Sequence, residues 1–231
     1  MEALIQMEDV WKRYIVGKAN SLVVLKEVGL TIRQGEFVAI TGPSGSGKST
    51  MMNLVGALDV PSHGSVYLQG QNIATMNESS LSVLRGKTIG FIFQQFNLIS
   101  TLSALQNVML PMELINTPEK EAKERAVMLL EKLGLGDRMH HKPTELSGGQ
   151  QQRVAIARAL ANNPDIILAD EPTGNLDSKT GKFVMEFLSD LHKTEGKTII
   201  LITHAPELLT YVTRIIQMKD GRIEPDNKQK E

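Results

Sequence analysis

Gly42-Pro43-Ser44-Gly45-Ser46-Gly47-Lys48-Ser49-Thr50 is the stretch on which the reading of this chain turns. It satisfies the pattern G-x-x-x-x-G-K-[ST]. Before it, residues 37–41 form a short apolar run suited to a buried strand. After it, residues 49–58 read as a helix closed by Asp59 and Pro61. Strand, glycine-rich turn and helix in that order make a cradle for phosphate. Glycines allow successive backbone N–H groups to turn inward on phosphate oxygens. The positive end of the helix points at the same place. Lys48 can reach the outer phosphates of a nucleotide, and the Ser49 hydroxyl can bind Mg²⁺. A flexible Gly/Ser turn would share the letters but not the flanking strand and helix.

A second signal lies at Leu146-Ser147-Gly148-Gly149-Gln150, followed by Gln151-Gln152-Arg153 and a helix-prone run to Asn163. A serine and two glycines opening a helix offer a second anion site. An ordinary N-cap serine with a glycine-rich lead-in reads the same way. A third signal is Ile166-Ile167-Leu168-Ala169-Asp170-Glu171, an apolar strand ending in two acids. Asp170 can hold Mg²⁺ through water. Glu171, one residue on and on the other side of the chain, can orient or deprotonate an attacking water. The bland alternative is a polar strand end entering a Pro-Thr-Gly turn. Thr203-His204 also closes a buried strand, where an open α/β sheet contacts its ligands. A lone histidine there can equally be structural.

Around these motifs the chain reads as a mixed sheet followed by α/β units. Residues 4–40 hold short apolar runs broken at Gly17, Asn20, Gly29 and Gly35, which suit antiparallel strands. Residues 89–93, 166–169 and 198–203 read as buried strands, the last two in a parallel sheet. Residues 119–133 read as an amphipathic helix with Ala122, Ala126, Leu129, Leu130 and Leu133 on one face. Residues 215–223 read as a hairpin turning at Asp220-Gly221. The polar tail after Glu224 is expected to fray. No repeat or linker divides the 231 residues, so one domain is expected, with a helical insert over roughly residues 96–164.

Composition sets outer limits. Hydrophobic residues make up 41%, enough for a core. Charged residues make up 22% with a net charge of -1, so no basic footprint for nucleic acid exists. No cysteine is present, which excludes disulfides and cysteine-held zinc. No secretory leader and no membrane-spanning run is visible, so a cytoplasmic protein is expected.

The phosphate loop, the Leu146–Gln150 run, the Asp170-Glu171 strand end, Asn175-Leu176-Asp177 and the late Thr203-His204 together resemble the nucleotide-binding domain of ABC transporters. The resemblance covers the whole chain, and the five-residue signature is specific to that superfamily. Residues 93–98, 106–111 and 146–160 resemble the MacB and LolD group, which serves macrolide, peptide and lipoprotein export or extraction.

The resemblance implies a P-loop NTPase (RecA-like) α/β core, an antiparallel β layer and a helical subdomain. It implies ATP and Mg²⁺ as ligands, with Ser49, Gln94 and Asp170 around the metal. Tyr14 resembles the aromatic that stacks on adenine. Gln94 resembles the glutamine that touches Mg²⁺ and the attacking water, with Gln95 as the alternative. Ser147, Gly148, Gly149 and Gln150 resemble the signature that closes over ATP held by another subunit. Asp177 resembles the loop linking the two sites of a dimer, and His204 the switch on the γ-phosphate. The family usually carries an acid after that histidine, whereas this chain has Ala205-Pro206.

The implied assembly is a head-to-tail homodimer sandwiching two ATP molecules, beside an integral-membrane permease subunit on the inner face of a prokaryotic cell membrane. A non-transport ABC ATPase acting on DNA or the ribosome is the rival. It would bring long coiled coils, zinc modules or a second cassette, and this chain has none of them. Residues 94–112 carry no charge. They are either the buried side of the helical insert or an uncharged groove, around Leu102 and Leu105, for a helix of the membrane subunit.

Overall fold

The computed structural model describes residues 3–17 and 20–225. In chain order the elements begin with β1 (Ala3–Val16), β2 (Asn20–Arg33), β3 (Phe37–Thr41), α1 (Lys48–Val55), β4 (His63–Leu68), β5 (Gln71–Asn72) and α2 (Glu78–Thr88). There follow β6 (Ile89–Phe93), α3 (Ala104–Glu113), α4 (Glu119–Lys132), α5 (Gly148–Ala159) and β7 (Ile166–Asp170). Last come α6 (Ser178–Glu195), β8 (Thr198–Ile202), β9 (Arg214–Lys219) and β10 (Arg222–Ile223). The chain packs as two compact units, Met1–Arg85 with Thr198–Glu231, and Gly86–Lys197. The expected frayed tail after Glu224 lies, apart from Pro225, outside the described residues.

In the first unit, β2, β1, β4 and β5 form an antiparallel sheet. Met7 pairs with Leu30 and Val10 with Val28, all four buried. The strand period slips by one residue between Met7 and Val10, where Asp9 takes a φ of 45°. This bulge keeps apolar side chains inward on both sides of the slip, because one extra residue restores the face. β1 and β2 run 14 residues each, so the short strands expected from turn residues were too short. Gly29 lies inside β2 and Asn20 begins it; the long ladder with β1 overrides the local turn signal. In a second sheet, β3 lies between β8 and β9 and is parallel to both. Phe37, Val38, Ala39 and Ile40 are all fully buried, as a strand covered on both faces requires.

α1 is shorter than the expected 49–58. It starts at Lys48 and ends at Gly56, whose N–H returns to Met52 O. The Leu58 and Asp59 N–H groups then both donate to Asn53 O, folding the chain into a turn. The hairpin expected near residues 215–223 is present as β9 and β10. Gly221 in its turn has a φ of 80°, and a Cβ there would lie 2.2 Å from Val24 O. Its N–H donates to Ser46 O and its carbonyl accepts from Lys26 N.

In the second unit, β6 and β7 pair in parallel from Ile89–Ile166 to Phe93–Asp170. α5 comes close enough to β6 that a Cβ on Gly90 would lie 2.2 Å from Ala159 O. α4 buries Ala122, Ala126, Leu129 and Leu130, as its period predicts, with Leu133 as a buried C-cap. The uncharged stretch divides, with residues 94–103 half-buried or exposed and most of residues 104–112 buried. α3 buries Leu105, Val108, Met109 and Met112, so Leu105 lines no groove. Fully buried Asn107 accepts from Ile99 N and donates to the carbonyls of Ile99, Leu102 and Ser103. This polar side chain is the clip holding the preceding loop.

Candidate functional site

The phosphate loop links β3 to α1 and is held open from behind. Gly42 has a φ of 144°, and a Cβ there would lie 2.2 Å from Met218 O on β9. No other residue type fits that approach. Gly45 and Gly47 also have positive φ, and Gly47 is the N-cap of α1. No side chain caps this helix start, and no acid lies in its first turn. Its leading N–H groups are therefore available to an anion. Lys48 Nζ bends back to donate to Gly42 O and Pro43 O, both at 2.9 Å. Ser46 is buried, and its Oγ has no hydrogen-bond partner. Pro43, Ser44, Gly45 and Ser49 are exposed. An orphaned hydroxyl beside uncapped N–H groups is the chemistry of a cradle for phosphate oxygens.

The same unit brings Tyr14 to the loop helix. The Tyr14 hydroxyl donates to Asp59 Oδ2 at 3.0 Å, with the Thr50 side chain close enough to favour the phenolate. Burial first, then Asp59, pushes the phenol pKa up. Lys12 Nζ lies 5.0 Å from the ring centroid. It donates to Asp59 Oδ1 at 2.5 Å and to Val60 O at 2.8 Å. Burial would raise the Asp59 carboxyl, but Lys12, the Val60 N–H and Tyr14 hold it below the usual carboxylate value. His204 follows β8 on the surface, and Ala205 N donates to the buried Thr203 Oγ1 at 3.1 Å.

The second unit gathers the other motifs. Asp170 ends β7, half-buried, and Glu171 follows with a φ of 46°. A left-handed glutamate is sterically costly, and such residues concentrate at functional sites. Gln94, at the end of β6, meets the loop beyond Glu171. Its Nε2 lies 3.4 Å from Asn175 Oδ1, and Asn175 Nδ2 donates to Gln94 O at 3.0 Å. A Cβ on Gly174 would lie 2.7 Å from Gln94 Nε2, so glycine is what lets the two segments touch. Gln95 instead lines a groove of about 380 Å³ with Phe96, Asn97, Leu98, Pro143 and Thr144; no charged residue lines it.

Ser147 is the N-cap of α5. Its Oγ accepts from Gln150 N, and Gln150 Oε1 accepts from Ser147 N. The serine is thus a helix cap, and Ser147 and Gly148 lie at the surface. Asp177 is likewise the N-cap of α6. Thr180 Oγ1 donates to its Oδ2 at 2.6 Å, and the N–H groups of Thr180 and Lys179 reach its Oδ1. Thr180 foremost holds the Asp177 carboxyl below its ordinary pKa. A Cβ on Gly149 would lie 2.7 Å from Thr180 Cγ2, so the signature glycine packs directly on the residue that Asp177 caps. Buried Gln152 on α5 donates to Pro172 O at 2.6 Å, joining the signature helix to the turn after Glu171.

The family described as ABC transporter matches residues 25–174. The chain belongs to the ABC transporter family. It is 54% identical over 220 residues to an uncharacterized ABC transporter ATP-binding protein of Methanocaldococcus jannaschii, covering 95% of this chain and 97% of that protein. It is 51% identical over 229 residues to the macrolide export ATP-binding/permease protein MacB 2 of Aeromonas hydrophila. There it spans 99% of its own length but 35% of the relative's. The dimeric, post-hydrolysis structure of the ATP-binding cassette MJ0796, bound to ADP and Pi, superposes with a TM-score of 0.89 at 46% identity. That match covers 98% of this chain and 99% of the other.

The cassette has the P-loop NTPase fold of ABC ATPases, and it is an ATP-binding, ATP-hydrolysing protein of transport. Sequence reasoning missed Lys12, Gln152 and Thr180 as parts of its functional regions, and met Asp59 only as a helix stop. Lys12 and Tyr14 do alternate onto one face of a strand, which was the available signal.

Proposed function

We propose that the cassette hydrolyses ATP with Glu171 as general base and works as a head-to-tail homodimer. A separate integral-membrane permease then exports or extracts a lipoprotein, peptide or drug-like substrate. The observation that carries the assignment is the left-handed backbone of Glu171 directly after Asp170. A left-handed turn between two successive carboxylates suits one to serve a cation and the other a water. In this reading Lys48 and the Gly42–Thr50 loop bind the phosphates, and His204 contacts the γ-phosphate. Gln94 positions the water, and Tyr14 stacks on adenine. Ser147, Gly148, Gly149 and Gln150 close over the ATP of the other copy, and Asp177 links the two sites. Residues 1–231 act as one nucleotide-binding domain whose helical part includes α3, α4 and α5.

The donor set fits Mg²⁺. Ser49 hydroxyl, Gln94 amide oxygen and Asp170 carboxylate are all hard oxygen ligands. When bound, the ion neutralises phosphate charge. Three features support a membrane partner: the relatives' names, the uncharged groove beside Gln95, and its continuity with Gln94. A short partner helix with apolar anchors suits such a groove. Among the described residues no helix is long and apolar enough to cross a membrane. The partner would therefore hold the cassette at the cytoplasmic face.

Glu171→Gln tests the base. ATP affinity should stay near wild type, turnover should fall by on the order of 10²-fold or more, and an ATP-bound dimer should accumulate in sizing chromatography. A monomeric variant that hydrolyses at the wild-type rate would overturn the assignment.

A further inference from the structure

Tyr14 is not a free aromatic on a strand. Its hydroxyl sits between Thr50, inside α1, and Asp59, just beyond the end of α1. Asp59 is in turn held by Lys12, two residues before Tyr14 on β1, through a 2.5 Å contact. Lys12 is 8% exposed, which is rare for a lysine and costly unless it is paired. Its ammonium also lies over one face of the Tyr14 ring.

We propose that Asp59 and Lys12 are positioning residues for recognition of the nucleotide base, acting through Tyr14. This rests on the reading of Tyr14 as the adenine-stacking residue. Three constraints act on one ring. Asp59 fixes the hydroxyl end and therefore the rotation of the side chain. Lys12 covers one face, so a base can stack only on the other. The cation also draws π density away from that open face, which lowers its repulsion toward a second aromatic. Thr50 and Asp59 both belong to the α1 segment that begins at the phosphate loop. The base contact is therefore registered against the phosphate contact through α1, which holds Thr50, and the turn after it, which is tied to Asn53 O and holds Asp59. Such preorganisation favours stacking by removing the entropy of ordering a mobile tyrosine.

The prediction concerns the base and not the phosphates, so the probes are ATP and inorganic tripolyphosphate, each titrated calorimetrically. Tyr14→Leu should weaken ATP about five-fold or more, as loss of an aromatic–base stack does, and leave tripolyphosphate unchanged. If ATP binding is unaffected, the stacking reading itself fails. Asp59→Asn and Lys12→Met should weaken ATP about three-fold or more, again sparing tripolyphosphate. In Asp59→Asn the Tyr14 phenol should also ionise at lower pH in an ultraviolet titration, with Tyr14→Phe identifying its share of the signal.

If Tyr14→Leu discriminates between the probes but Asp59→Asn and Lys12→Met do not, the positioning role is overturned while stacking survives. Equal weakening of both probes would make the pair merely structural. Should Asp59→Asn fail to fold, Tyr14→Phe removes the same hydrogen bond from its other end. A wild-type ratio of ATP to tripolyphosphate affinity in Tyr14→Phe would then overturn the proposal.

Discussion

The two glycine-bearing helix starts of this protein are built in opposite ways. At α1 the N-cap is Gly47 in a left-handed conformation, no side chain caps the helix, and Ser46 Oγ is buried without a partner. At α5 the N-cap is Ser147 in extended backbone, closed by a reciprocal capping box with Gln150. The first start leaves its donors for a ligand to satisfy. The second has satisfied two of its own. An anion therefore gains far more at Gly42–Thr50 than at Ser147–Gln150. A signature that is weak alone contributes only when another element delivers the nucleotide to it. This difference is what a shared site between two copies needs. In the proposed shared site, one half is suited to capture ATP and the other to respond once it has arrived.

The largest effect should come from emptying the capturing half. Lys48→Ala removes the cation that bends over the loop, and ATP affinity should drop on the order of 10²-fold by calorimetry. A drop of less than three-fold would break the comparison, because the loop would not be the capturing half. Next comes His204, which lies in the same unit as the loop. His204→Ala should cut turnover on the order of 10²-fold if it meets transition-state charge, whereas Ala205→Asp should change it only a few-fold. Equal small effects from both would leave His204 a structural residue.

Ser147→Ala addresses the sensing half. Losing the cap should cost about 1 kcal/mol, seen as a fall in Tm of roughly 2–4 °C. ATP affinity of the monomer should be unchanged while dimer-dependent turnover falls. An equally weakened monomer would mean that the signature captures ATP unaided.

The smallest effect concerns Asp177, which caps α6 beside Gly149. Its folded pKa is lowered, so its contribution is full above the unfolded carboxylate value of about 3.9. That contribution is lost as pH falls through the lower folded value. Asp177→Asn should thus lower Tm slightly at neutral pH, and the gap from wild type should close in strong acid. A gap that widens in acid would contradict the sign.

How much of this was legible depends on where each residue's partner lies. The phosphate loop could be read because its glycines, lysine and serine are demanded by phosphate within nine consecutive letters. The capping role of Ser147 was legible as an alternative, since Gln150 lies three residues away. Asn107 was not, because its partners are backbone carbonyls that carry no letter. The Lys12–Asp59 pair was hidden by a separation of 47 positions along the chain. Gly29 misled because glycine signals a turn only when no long neighbouring strand holds it extended. Leu105 looked like a candidate for a groove because an uncharged run does not say which of its faces is inward.

The hairpin behind the phosphate loop gives this protein an order of events during synthesis. Met218 O backs Gly42, and Gly221 N–H holds Ser46 O. Both come from the far end of the chain. A ribosome adding about 5–20 residues per second needs on the order of ten seconds or more between the loop and its support. For that interval the nascent chain carries the full phosphate-binding motif without the backing that shapes it. The backing of Gly42 and Ser46 is thus acquired only after residues 47–217 have been added.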